Sequence, residues 1–570
     1  MKFRFLLYLC VLCASVVNCF SLDREAFTFT NYDLNVSVEP DQQRLGVRGK
    51  ITLRNDSPAP QKIAVLQISS SLDWRSIKSA GQQLQFISQP YTSDVDHTGA
   101  LTEAIVTLPS AIPPKATIEI EIAYEGVIVL DATRLTRIDT PEDAARSSDW
   151  DQIGTKFTAV RGAGNVAWYP IATESASLSE GTELFETIAR WRTREAASTV
   201  HMHFSIPING DEQKPELLLN ATACQSAHEA AHEFVADCTY QSLGLSTPCI
   251  VIANFDSLDR PSIAVHFLPG HDIAATNYAD AAEKVAPFIV EWFGRPHSKP
   301  QTADLNDPDD APFESGSLLL LPLPSIDPKP ASLTAAHQLT HAAFSSPRAW
   351  INEGLAHFAQ ALYVEQQNGR TVAIDYLKSH RSSLTPTQNN EGASQSNETA
   401  RSLINTADEQ LSRSKALSVW WMLRDMLGDQ ALKKAIASYR PEQDKEPSYM
   451  PGLIQAQTQK DLEWFFDDWV YRDRGLPDFK IESVFPRKTL PEGYMVTITV
   501  ANQGAAGAEV PVTVKFSGGE IRQRLIVKGK SSAVIRIPVP KAPEEVVVND
   551  GSVPESDTTN NTFRVAEPEN

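Results

Sequence analysis

Two histidines four residues apart and a glutamate twelve residues further on have the types and spacing to bind a metal ion. His337 and His341 lie in the segment His-Gln-Leu-Thr-His, and Glu353 lies in Trp-Ile-Asn-Glu-Gly. Side chains at positions i and i+4 of a helix project to the same side, so both imidazoles can bind one ion. A glutamate from a second helix would complete the His₂Glu set of a catalytic zinc site, which leaves a fourth position for water. Many helices also carry such a histidine pair by chance, so a chain without metal remains an alternative.

The size and composition of the chain indicate a globular protein with more than one domain. At 570 residues it exceeds the roughly 250–300 residues at which a single hydrophobic core stops growing. It is 42% hydrophobic and 21% charged, which is ordinary for folded proteins. The formal net charge of −20 argues against a nucleic acid or an anionic membrane as the partner. The oligomeric state is left open.

The N-terminus has the pattern of a signal peptide. Lys2 and Arg4 precede an apolar run from Phe5 to Val17 that is too short to span a bilayer comfortably, and a polar sequence begins near Leu22. We therefore expect residues 1–21 to direct export to the periplasm or the exterior. We expect no membrane span in the rest of the chain.

Three cysteines follow the N-terminal segment. In an oxidising compartment we expect Cys224 and Cys238 to pair across a short polar loop and Cys249 to stay free. The three lack Cys-x-x-Cys spacing and make a poor zinc site.

The first of three regions, residues 22–255, has the periodicity of β-strands. Alternating runs such as Tyr32–Val38, Val47–Leu53 and Ala116–Ala123 predict strands with one buried face. Residues 476–570 return to the same pattern, as in Met495–Ala501, and their spacing is typical of a small β-sandwich.

Between them, residues 256–475 have mainly helical patterns. A helix is expected over Ala275–Phe293 with its stop at Gly294, and another beginning at Ser346 with Pro347 as its first helical residue. Residues 381–400 are polar and low in complexity, which predicts a surface loop.

Five segments occur in an order that is typical of one enzyme family. They are Trp168-Tyr-Pro170, Glu314-Ser-Gly-Ser-Leu318, His337–His341, Trp350-Ile-Asn-Glu-Gly-Leu-Ala356 and the helical segment Lys415–Gly428. Together they resemble the gluzincin zinc aminopeptidases, which include alanyl aminopeptidases and leukotriene hydrolase. The resemblance implies a multidomain α+β fold with an N-terminal β-sandwich-like domain (22–255) and a thermolysin-like, mainly helical metallopeptidase domain (256–475). It also implies zinc on His337, His341 and Glu353.

The resemblance further implies how a substrate would bind. Glu314 would hold the free α-amine of a peptide, so the expected partners are peptides or proteins with free N-termini. A surface glutamate that merely begins a strand is the alternative for this residue.

The chain departs from the family pattern at the residues that carry the chemistry. Gln338 stands where the family has the glutamate that acts as general base, and an amide cannot accept a proton from the zinc-bound water. Arg413 stands where the family has an oxyanion-stabilising tyrosine and would supply positive charge there. The segment between His341 and Glu353 is also shorter than in the family. His357 lies one turn beyond Glu353 and could support or replace a ligand, although a core histidine is the simpler explanation.

The C-terminal region resembles bacterial Ig-like adhesion-type domains of the CARDB kind. Asn549-Asp-Gly551 and the segment Glu555–Asn561 carry this resemblance. The whole pattern predicts an exported zinc metallopeptidase-like protein with impaired catalysis. Two alternatives remain, a non-catalytic peptide- or protein-binding module that keeps the fold, and a metal-free adhesion protein.

Overall fold

The computed structural model describes residues 22–180, 183–207, 215–228, 233–326, 331–381, 402–404, 409–489 and 492–565. The expected signal peptide and nearly all of the expected loop 381–400 lie outside the described residues. Within the part of the chain that is described, no helix is both long enough and apolar enough to cross a membrane.

The first half of the chain is mostly β-structure, as the alternating pattern predicts. In the strand Phe27–Glu39, Leu34, Val36 and Val38 are buried and alternate with less buried neighbours. The largest sheet contains eight strands, in the spatial order Ala223–His228, Glu233–Tyr240, Thr199–Pro207, Phe27–Glu39, Arg44–Asn55, Thr117–Val127, Leu72–Ser79 and Gln82–Gln83. Two three-stranded sheets accompany it. One has the order Gln61–Ser69, Ala100–Ile112 and Gln85–Thr92, and the other has the order Glu216–Leu219, Ile250–Ala253 and Phe157–Val160.

The predicted disulfide is confirmed. Cys224 and Cys238 occupy directly opposed positions on neighbouring antiparallel strands and are bonded, with an S–S distance of 2.07 Å. Cys249 is a free thiol in the buried core.

The β-rich half also contains a helix that the sequence analysis did not predict, Glu183–Arg194, called here the arginine helix. Leu184, Thr187 and Trp191 form its buried face. Acidic residues lie in its first turn and arginines in its last, which suits the helix dipole. Among the described residues of this half, the other helices are the short segments Thr133–Thr136 and Glu142–Ser148, with a 3₁₀ turn at Pro40–Gln42.

The middle of the chain combines a mixed five-stranded sheet with a group of packed helices. The sheet has the order Asp256–Asp259, Ala264–Phe267, Gln301–Asp304, Leu318–Leu321 and Phe313–Ser315, the last being called the edge strand. The helices are Asp272–Phe293, Ala331–Ala343 (the histidine helix), Ala349–Asn368 (the glutamate helix), Arg370–Ser379, Glu409–Leu427, Asp429–Ser438, Tyr449–Gln455 and Glu463–Phe466. Short 3₁₀ segments occur at Leu323–Ser325 and Pro441–Gln443, and a π-helical turn at Asp467–Tyr471.

The predicted helix end at Phe293 agrees with the structure, but two predicted starts do not: the first helix begins at Asp272 rather than Ala275, and the glutamate helix begins later than predicted. The helix that ends at Phe293 stops before Gly294, whose φ of +89° favours glycine. The glutamate helix begins at Ala349, so the prediction that Pro347 is its first residue is wrong. Arg348 is extended at φ −99° and ψ 119°, and its N–H donates to the Ser346 hydroxyl instead of continuing the helix.

The C-terminal strands form two sheets that pack directly on the helices. One sheet has the order Phe479–Lys488, Tyr494–Asn502, Ser531–Val539 and the other Gly519–Val527, Ala508–Phe516, Pro543–Val548, Thr562–Arg564. Their buried residues belong to the same hydrophobic cluster as those of the helices. The indole of Trp469 donates to the carbonyl of Gly507 at 2.7 Å, and Asp468 accepts from the Gly507 N–H at 2.9 Å.

Candidate metal centre

Four side chains from three elements meet at one point of the middle region. The histidine helix supplies His337 and His341, the glutamate helix supplies Glu353, and the edge strand supplies Glu314. All four side chains are largely buried, with exposed fractions between 9% and 26%. The predicted ligands are therefore brought together, and Glu314 lies among them.

The spacing of the donor atoms fits a tetrahedral ion. The two Nε2 atoms of His337 and His341 are 3.2 Å apart. A Glu353 oxygen lies 3.5 Å from Nε2 of His341 and another 3.7 Å from Nε2 of His337, while Oε2 of Glu314 lies 3.4 and 3.5 Å from the two nitrogens. Tetrahedral zinc with bonds of about 2.0–2.1 Å separates its ligands by about 3.3–3.4 Å. The donor set is thus one that can hold zinc.

The Trp-Ile-Asn-Glu-Gly segment positions Glu353 through its neighbours. Trp350 stacks on Trp420 with ring centroids 5.4 Å apart, and the Trp420 indole donates to the Trp350 carbonyl at 3.2 Å. At Gly354 a Cβ atom would lie 2.7 Å from the Cβ of Ala416 and 2.8 Å from Nε1 of Trp420. Glycine is therefore required for the close packing of the glutamate helix on Glu409–Leu427, which fixes where Glu353 points.

Asn352, from the same segment, orients one imidazole. Its side-chain amide lies 3.0 Å from Nδ1 of His341, and its oxygen accepts the Ser346 N–H at 3.1 Å. A metal on Nε2 leaves the proton on Nδ1, so the amide would have to turn its oxygen from the Ser346 N–H towards the ring. The other imidazole is held differently, since Nδ1 of His337 is buried without a hydrogen-bond partner among the described residues.

The edge strand is anchored beside the cluster by its own polar contacts. The Ser315 hydroxyl donates to the Thr247 carbonyl at 2.7 Å and accepts from the Asn220 amide at 2.9 Å. Gly316 then turns the chain with a φ of +60°, in the left-handed region that favours glycine. These contacts to the β-rich half fix the backbone at Glu314.

Gln338 is buried and fully committed to protein partners. Its Oε1 accepts a hydrogen bond from the Tyr278 hydroxyl, and its amide is hydrogen-bonded to Glu314. Burial raises the pKa of the Glu314 carboxyl, and the hydrogen bond from Gln338 opposes that rise only in part. Burial raises the pKa of Tyr278, so the phenol stays protonated and donates. Gln338 therefore links a neutral donor to a carboxylate and has no basic atom for a proton.

The electrostatics of the cluster favour a cation. Burial lowers the pKa of His341, but the carboxylates of Glu353 and Glu314 outweigh it and raise that pKa to about 9. Burial and the neighbouring His341 lower the pKa of His337 well below its ordinary value. Burial raises the pKa of Glu353, but His341 outweighs it and the net shift is downward. The metal-free cluster thus holds a proton on His341, which a divalent ion would displace.

His357 and Arg413 border the cluster. The ring of His357 lies 4.7 Å from that of His337, and burial lowers the pKa of His357 to about 4. Its Nδ1 contacts Oε1 of Gln360 at 2.9 Å, so Nδ1 is the donor, and Nε2 has no partner among the described residues. The charge of Arg413 acts on Glu314, His337 and His357, which places it near the site.

A small pocket of about 90 Å³ opens beside the cluster. Glu314, His341, Glu353 and Asn352 line one part of it, and Arg192 of the arginine helix lines another. Arg192 is exposed to solvent, and the negative charge of Glu353 acts on its guanidinium. Arg192 is the residue that the sequence analysis missed, together with Tyr278 and the contact made by Asn352. The helical spacing of Leu184 and Trp191 could have predicted the arginine helix, and with it the position of Arg192.

The comparison with solved structures identifies the fold. No family model and no curated protein matches the chain. Among solved structures, the M1 zinc metallopeptidase of Deinococcus radiodurans is similar, with a TM-score of 0.52 and 15% identity, over 78% of this chain and 94% of that one. Legionella pneumophila aminopeptidase A in complex with aspartic acid is similar with a TM-score of 0.61 and 12% identity, over 92% of this chain. This chain spans 58% of the Legionella protein. The chain therefore has the fold of the M1 zinc metallopeptidases.

Proposed function

We propose that this chain is an exported zinc metallopeptidase-like protein of the aminopeptidase type whose hydrolytic activity is weak or absent. His337, His341 and Glu353 hold one zinc ion. The observation that carries the proposal is the set of 3.2–3.7 Å separations among these donor atoms, which match the edges of a zinc tetrahedron. The likeness to M1 zinc metallopeptidases supports the choice of metal.

The residues around the metal give the site its substrate preference. Bound zinc would supply a Lewis acid that polarises a peptide carbonyl and acidifies a water. The Glu314 carboxylate binds the α-amine of a peptide, and Arg413 supplies positive charge near the same point. Asn352 keeps the His341 ring in place. These residues bind and orient a peptide with a free N-terminus.

Gln338 is the reason that we propose impaired catalysis. Loss of a general base costs roughly 10²–10⁴-fold in rate, and an amide cannot substitute for a carboxylate as a proton acceptor. The hydrogen bonds of Gln338 to Tyr278 and Glu314 also commit it to the protein rather than to a water.

The position of Glu314 favours a second candidate, a non-catalytic peptide- or protein-binding module. Its Oε2 lies 3.4 and 3.5 Å from the two imidazole nitrogens, a separation suitable for a fourth protein ligand. Four protein ligands close a zinc site, as in structural rather than catalytic sites. X-ray absorption of the zinc-loaded protein separates the candidates, because the catalytic type has a water among four ligands and the closed type has none.

Export and the C-terminal region complete the proposal. Residues 1–21 direct export, which the Cys224–Cys238 disulfide supports because such bonds persist in oxidising compartments. We propose domain limits at 22–255, 256–475 and 476–570, the last an Ig-like module. Detection of the mature protein, beginning near Leu22, in a periplasmic or culture fraction tests the export. Zinc content and hydrolysis of aminoacyl-arylamides test the function.

A further inference from the structure

The arginine helix places a cation in the pocket beside the metal centre. Arg192 lies in its last turn and lines the same pocket as His341, Glu353 and Glu314. It is the only lysine or arginine among the described residues that line this pocket. The pocket therefore has carboxylates and imidazoles on one part of its wall and a guanidinium on another.

Arg192 has no ion-pair partner in the described part of the chain, although its neighbours on the helix have them. Arg190 lies 3.8 Å from a Glu25 oxygen, and Arg194 contacts Glu25 and Glu195. Arg192 shares the wall of the pocket with the predicted metal ligands His341 and Glu353. Arg192 is exposed to solvent, so its guanidinium is accessible to a ligand, and its planar donors match a carboxylate well.

Hydroxyl and amide groups also line this pocket. Ser246, Thr247, Ser345, Ser346 and Asn352 contribute them. This lining suits a small polar group rather than an apolar side chain. The pocket volume of about 90 Å³ has room for a carboxylate group and a few water molecules.

We propose that Arg192 forms a carboxylate-binding subsite, so that the preferred ligand is an acidic peptide or amino acid held between the guanidinium and the metal centre. The proposal rests on the proposed function, because the metal centre holds the other end of the ligand. The carboxylate comes either from an acidic N-terminal side chain or from the C-terminus of a very short peptide. In both cases it forms charge-assisted hydrogen bonds with Arg192.

Binding of matched peptide pairs to the full-length, zinc-supplemented protein tests the subsite. In calorimetry, Asp-Ala-amide is compared with Asn-Ala-amide to test the side-chain source, and Ala-Ala with Ala-Ala-amide to test the C-terminal source. At least one acid should bind about 10- to 100-fold more tightly than its neutral partner, as expected for a hydrogen bond to a charged group. Arg192→Met should abolish the preference and Arg192→Lys should keep part of it.

Arg190→Met is the matched control, since it removes the same charge from the same helix outside the pocket, and it should keep the preference. The subsite would be overturned if acids and amides bind equally or if neither acid binds. It would also be overturned if the preference for acids survives in Arg192→Met. Zinc content is measured for every variant. Loss of zinc in Arg192→Met would also overturn it, because Arg192 would then act by supporting Glu353. A wild type that prefers acids but contains no zinc would instead contradict the proposed function and leave the subsite standing.

Discussion

Restoring a glutamate at position 338 changes both the chemistry and the stability of the site. Gln338 is almost completely buried, accepts from Tyr278 and is hydrogen-bonded to Glu314. In Gln338→Glu the new side chain can still accept from Tyr278, but at neutral pH it loses the amide hydrogens that face Glu314. A carboxylate then lies beside a carboxylate, and the lost hydrogen bond to a charged group costs roughly 1.5–3 kcal/mol. We expect the metal-free variant to lose about 2 kcal/mol in the free energy of unfolding.

The same substitution supplies the missing base. If the metal centre and Glu314 are otherwise competent, hydrolysis of aminoacyl-arylamides should rise by roughly 10²–10⁴-fold. Urea unfolding at neutral pH, with and without zinc, measures the stability change, and steady-state hydrolysis measures the gain. Gln366→Glu is the matched control, because Gln366 is exposed on the glutamate helix and its change should alter unfolding by less than about 0.5 kcal/mol.

Two results would refute this account of Gln338. One is a wild-type protein that hydrolyses these substrates at rates ordinary for enzymes, about 1–10³ s⁻¹, because another group would then be the base. The other is a zinc-loaded Gln338→Glu variant with no gain in activity, since that outcome makes the closed, non-catalytic site the better explanation.

Four further predictions follow from the site and its packing. Gly354→Ala should lower the free energy of unfolding by about 1–3 kcal/mol, because the added methyl overlaps Ala416 and Trp420; an unchanged urea midpoint would contradict the packing described. Zinc affinity should rise about tenfold per pH unit towards pH 9 and then level off, because zinc must displace the proton on His341, and a pH-independent affinity in competition titrations would contradict it. In the metal-free chain, the stability due to that proton is fully present below the ordinary pKa of 6.5 and lost as pH rises through about 9. Peptides with a free α-amine should bind more tightly than acetylated ones and Glu314→Ala should erase the difference, whereas equal binding by the wild type would show that Glu314 does not recognise the amine.

The sequence predicted those parts of the fold that local periodicity encodes. Alternation gave strands such as Arg44–Asn55, and the pairing of Cys224 with Cys238 followed from a short polar connection and an oxidising compartment. The His-x-x-x-His spacing placed two imidazoles on one side of a helix without knowledge of the fold. Each of these depends on residues that are near one another in the chain.

The rest of the site depends on contacts between distant segments. Tyr278 lies 60 positions from Gln338 in the chain, and nothing in either segment indicates that the two side chains meet. Arg192 belongs to the β-rich half, more than a hundred residues before the ligands. Because the sequence analysis predicted strands for that half, it did not predict the helix that carries Arg192. The role of Gly354 also requires the opposing helix, because only the position of Trp420 shows why a side chain is excluded.

Zinc stoichiometry tests the central claim most directly. The gently purified protein should contain one zinc per chain by elemental mass spectrometry, because His337, His341 and Glu353 present donors at tetrahedral separations. His341→Ala should lose that zinc, while His201→Ala, which removes an exposed histidine of the eight-stranded sheet, should retain it. A wild-type protein without zinc, or a His341→Ala variant with a full complement, would contradict the account.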